Sequence, residues 1–98
     1  MNLQEIRKEV SDRIIDYVKY FKSVGFTDIQ MERRYPIYPK YMECSTAGIS
    51  YKKQGKKMYE PLIYCHNLFP KEMSHEDKIK EIIALGVNVL KGSWITKK

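Results

Sequence analysis

One periodic stripe near the N-terminus limits what this chain can become. Leu3, Ile6, Val10, Ile14, Tyr17, Phe21 and Val24 recur at steps of three and four residues, and Ile15 and Val18 widen the band. That is the period of an α-helix with one buried face. Asn2, followed three residues later by Glu5, makes a capping-box pattern at its start. Gly25 stands just past its last apolar residue, where a left-handed residue ends many helices. The stripe predicts a helix over 3–24. Such a helix gains most of its stability from packing its apolar face, and the rest of the chain must supply the surface.

The period then changes. Ile29 and Met31 alternate with Asp28, Gln30 and Glu32, which predicts a strand over 27–34 with one wet face. Pro36 and Pro39 interrupt Tyr35–Lys40 and predict a loop or irregular edge. Residues 41–53 read as extended, with Gly48 marking a bulge or break. Gln54-Gly55 between two lysine pairs reads as a hairpin tip, and Met58 and Tyr59 as its return strand. After Pro61, the run Leu62-Ile63-Tyr64-Cys65 suits a short central strand. Ser74 and Asp77 open a second helix whose buried face holds Ile79, Ile82, Ile83 and Leu85. Its end is either Gly86, leaving Val87–Leu90 as a last strand, or Gly92. The alternation of Val87 and Val89 favours the first. The predicted fold class is α+β: an antiparallel sheet of three to four strands with two helices on one face, in the order α-β-β-β-α(-β), as one domain over 1–98.

Composition narrows the class. With 98 residues, 43% hydrophobic and 31% charged, the chain has the make-up of one globular domain. No apolar run approaches the ~20 residues a membrane helix requires. The charged start, Met1–Glu5, is unlike a secretory signal, so a cytoplasmic location is expected. Two cysteines, Cys44 and Cys65, are too few for a disulfide scaffold and are expected as reduced thiols.

Charge placement says more than the total. Residues 33–57 hold seven of the 18 cations and one of the 12 acids, leaving eleven of each elsewhere. The whole excess of +6 is therefore local, as in an electrostatic footprint.

Catalytic and metal chemistry find little support. Cys44, Cys65, His66 and His75 lack the short spacing of a zinc half-site, and adjacent strand residues such as Cys65 and His66 would face apart. Neither cysteine stands at a predicted helix start, where a thiolate is favoured. Glu32 and Glu43 could meet on neighbouring extended segments, but no acid-rich motif backs them as cation ligands. The glycines match no phosphate-loop spacing. The expectation is a non-enzyme with no metal and no cofactor.

Two features carry a binding reading. The segment from Arg33 to Tyr41 interleaves Arg33, Arg34 and Lys40 with Tyr35, Tyr38 and Tyr41 on an extended stretch. Such side chains stack on bases or anchor protein interfaces. Lys52, Lys53, Lys56 and Lys57 surround the hairpin tip, where they could meet phosphates or keep the sheet from pairing with other chains. Contact with nucleic acid or a nucleoprotein complex through residues 33–57 is the leading expectation. The alternative is an inhibitor or accessory factor, of phage or mobile-element character, that docks on an acidic protein surface. A homodimer through the first helix is the third reading.

Overall fold

A computed structural model describes residues 2–35 and 45–92. The expected loop over 35–40, the start of the second strand, Cys44 and the C-terminal Trp94 and Ile95 fall mostly outside them. Helix α1 spans Leu3–Ser23, strand β1 Thr27–Arg34, β2 Thr46–Lys53 and β3 Lys56–Pro61. A short helix α2, Ile63–Leu68, and the longer α3, His75–Leu90, complete the chain. The three strands form an antiparallel sheet in the order β1-β2-β3.

Both ends of α1 close as its sequence predicts. Asn2 Oδ1 accepts the Glu5 amide at 2.8 Å, and Glu5 accepts the Asn2 amide in return at 2.9 Å. At the other end Gly25 takes φ 84. Its amide donates to Lys22 and that of Phe26 to Phe21, the paired bonds of a Schellman stop. Phe21 and Phe26 then both pack on Tyr51, at ring distances of 4.3 and 4.8 Å, which pins the helix end to β2. The stripe residues Ile6, Val10, Ile14, Val18 and Phe21 are buried in the chain's own core, against Ala47 and Ile49 of β2 and Ile79 and Ile82 of α3. Arg7 and Glu81 join α1 to α3 by a two-pronged ion pair.

Three local expectations are corrected. The run Leu62–Cys65 is not a strand: β3 stops at Pro61 and the chain turns into α2. Leu62, Cys65, His66 and Phe69 are the buried positions, at helical spacing. Second, α3 runs through Gly86 to Leu90, and no last strand forms in Val87–Leu90. Ile79, Ile82, Gly86 and Val89 share its buried face. A Cβ on Gly86 would overlap the Met31 side chain at 2.2 Å, so glycine lets α3 lie close on β1. The roughly 1 kcal/mol penalty of a mid-helix glycine is offset by that packing. Third, Gly48 is in regular register, opposite Glu32 and Pro61, and the sheet's irregularity falls at Asp28, with φ 53. Among the described residues no helix is long and apolar enough to cross a membrane.

Candidate nucleic-acid interface

Strand alternation divides the basic segment between the two faces of the sheet. Ile29, Met31 and Arg33 share the face that carries the helices, while Gln30, Glu32 and Arg34 point the other way. Arg33 reaches α3, where its guanidinium grips both carboxylate oxygens of Glu76 at 2.5 and 2.7 Å. With a side chain only 16% exposed, Arg33 ties helix to sheet rather than facing solvent. The ring of Tyr35, 60% exposed, lies under the same guanidinium at 4.5 Å. Tyr38, Lys40 and Tyr41 lie outside the described residues.

Arg34 belongs to the open face. Its guanidinium stacks on the Tyr59 ring at 4.3 Å and its Nε donates to Glu32. Glu32 also meets Lys57 at 2.9 Å. The hydrogen bonds from Lys57 and Arg34 hold its carboxyl down to about 2. Tyr59 crosses Gly48, where a Cβ would stand 2.5 Å from the ring, and its hydroxyl bonds to Thr46. Tyr59 was not singled out by the sequence, because its role depends on the strand register that sets it across from β2.

The tip is a two-residue turn, with φ 54 at Gln54 and 80 at Gly55. The register sets Lys52 opposite Lys57 and Lys53 opposite Lys56. Like charges so placed repel. Asp28 offsets Lys52 at 3.4 Å and Glu32 offsets Lys57. Lys53 and Lys56 are exposed and have no such carboxylate among the described residues. Ser50, buried on the open face, lines a shallow depression with Gln30, Lys52 and Lys57. Alternation turns Lys53 and Lys56 to the helix face, where Lys53 lies beside Val24 and Phe26 at the end of α1, and leaves Arg34, Lys52 and Lys57 as a strip on the open face with two carboxylates, Asp28 and Glu32. Along it the cations run for about 20 Å at the usual strand rise.

As neighbours on a strand, Cys65 and His66 were expected to face apart. His66 is instead buried with Cys65 on α2. Its Nε2 accepts the Ala47 amide at 3.2 Å, filling the ladder position that β3 vacates after Pro61. Burial, with His75 and Lys78 nearby, lowers its pKa to about 4. Burial also pushes the Cys65 thiol up to about 11, so it is not a thiolate at neutral pH. No three side chains of metal-binding type gather among the described residues. Comparison with known proteins finds no matching family model, curated protein or solved structure.

Proposed function

We propose that this chain is a non-enzymatic binding module that holds a nucleic-acid backbone at the lysine-rich tip of its hairpin. The observation that carries this reading is the directly opposed lysine pair at the tip, Lys53 and Lys56, backed on the other face by a second opposed pair, Lys52 and Lys57. A fold does not gain by setting like charges opposite each other, whereas a polyanion laid between them relieves the repulsion. Arg34 extends the charge of Lys52 and Lys57 along the open face. Its guanidinium, half exposed over Tyr59, offers a flat cation to a phosphate or a base. Arg33 has no part in this surface, because Glu76 holds it on the helix side.

The test is fluorescence anisotropy with labelled single- and double-stranded DNA and RNA, at low and near-physiological salt. Binding that weakens as salt rises supports the module. No binding at low salt refutes it and turns attention to an acidic protein surface as the partner.

A further inference from the structure

A second cluster of polar side chains lies away from the lysine tip, where β2 begins beside α2 and the first turns of α3. A cleft of about 210 Å³ opens there, lined by Ser45, His66, Asn67, His75 and Lys78 among others. Two polar atoms of its lining residues are buried with no hydrogen-bond partner among the described residues: Nδ1 of His66 and Oγ of Ser45. Their residues are 6% and 0% exposed. Buried polar atoms are rarely left unmatched, so a pair of them at one cleft points to a bound group.

The chemistry of that group follows from the donors. Nε2 of His66 accepts the Ala47 amide, so the proton of the neutral ring resides on Nδ1. Nδ1 is therefore a donor, directed away from Ala47 by the shape of the ring. The Ser45 hydroxyl has no acceptor among the described residues and can donate as well. Lys78, on the second turn of α3, lies near enough to act electrostatically on His66, and no ion pair holds it among the described residues. His75 stacks on His66 at 5.1 Å and is hydrogen-bonded to the Ser45 carbonyl. It is also the first residue of α3, whose dipole favours negative charge. The nearby carboxylate, Glu76, is taken up by Arg33. A cation is poorly served here, because the His66 lone pair is committed and Lys78 repels it.

We propose that this cleft binds a small oxyanion of the phosphate class, with His66 Nδ1–H and Ser45 Oγ–H donating to it and Lys78 supplying charge. The space exceeds the ~30 Å³ share of one water several times over, leaving room for such an anion. The site is separate from the lysine tip and does not rest on that surface binding nucleic acid. The phosphate can be a free ion or one borne by a nucleotide chain.

The test is an imidazole nitrogen NMR titration at ~pH 7.5, above the ordinary histidine range. Inorganic phosphate replaces chloride at constant ionic strength. The expected result is a saturable shift of the His66 Nδ1 resonance within tens of millimolar. Ser45→Ala and Lys78→Gln should each weaken it about tenfold, as loss of a hydrogen bond to a charged group does. Ser45→Ala removes a hydroxyl that has no partner among the described residues, so its melting temperature should hold or rise. A loss of anion binding in that variant is then not a loss of fold. A short oligonucleotide that displaces the phosphate marks the nucleotide chain as the source, and failure to displace it marks the free ion. No saturable shift, or a shift that persists unchanged in both variants, overturns the proposal. Binding of oligonucleotides by the lysine tip is scored separately, through Lys53 and Lys56.

Discussion

Replacing Lys53 and Lys56 together by alanine is the sharpest test of the lysine tip. Five cations, Arg34 and Lys52, Lys53, Lys56 and Lys57, stand against the two carboxylates Asp28 and Glu32. Three charges therefore remain for phosphates, two of them on the residues to be replaced. At about 0.9 counterion released per phosphate neutralised on a duplex, the slope of log affinity against log salt is roughly −2.7 for the native chain and roughly −0.9 for the double variant. A fourfold rise in salt then costs the native chain about 40-fold in affinity and the variant about threefold. Anisotropy titrations at four or five salt concentrations measure both slopes. The same substitution removes a directly opposed like-charged pair, so stability against urea should rise by ~0.2–1 kcal/mol. Weaker binding by a more stable protein separates lost contact from lost fold. A variant that keeps the native slope would show that these lysines touch no phosphate. A variant that instead self-associates would identify them as guards of the exposed β3 edge.

Other perturbations probe the frame. Arg33→Ala should lower stability modestly, since the tie from β1 to α3 is lost while the half-exposed Glu76 carboxylate turns to water, yet leave the salt slope unchanged; a changed slope would put Arg33 at the interface. Urea unfolding should be insensitive to His66 at high pH and lose about 3 kcal/mol as pH falls from the ordinary 6.5 to about 4. The sign follows because the unfolded chain takes up the proton over that range while the folded one, with His66 buried and facing His75 and Lys78, resists it. His66→Gln should flatten that segment of the profile, and an unchanged profile would assign the loss to other groups. Gly48→Ala should cost ~1–3 kcal/mol, because its methyl would meet the Glu60 carbonyl and the Tyr59 ring at 2.5 Å; a neutral result would mean Tyr59 does not lie across β2.

Elements with their whole signal inside one segment were legible. Helix α1 carries stripe, cap and stop within two dozen residues, and the Gln54-Gly55 turn carries its chemistry in two. Helix α2 was hidden because four apolar residues in a row fit a strand or a helix equally well. Its period, Leu62, Cys65, His66 and Phe69, appears only when a histidine is counted as buried. Helix α3 outran its expected end because β-branched Val87 and Val89 were weighed against Gly86. What decides the matter is Met31, 55 residues away, lying against that glycine. The lysine tip was equally local and could be read directly. The divergence of Arg33 from Arg34 was implicit in the alternation that turned Ile29 and Met31 inward. Glu76 as the partner of Arg33, and Tyr59 beneath Arg34, depend on register and packing that no single segment contains.

The imidazole that completes the sheet also decides how the molecule opens. Helix α2 has only six residues, fewer than a helix needs to persist in water by itself. Its His66 ring takes the Ala47 amide, and the Leu62 amide just ahead of it donates to the Ala47 carbonyl. The amides of Ala47 and Leu62 are therefore both freed for exchange when α2 and the residue ahead of it separate from β2. Slow exchange at the two positions should rise and fall together, making the centre of the sheet and the helix beyond its edge a single opening unit.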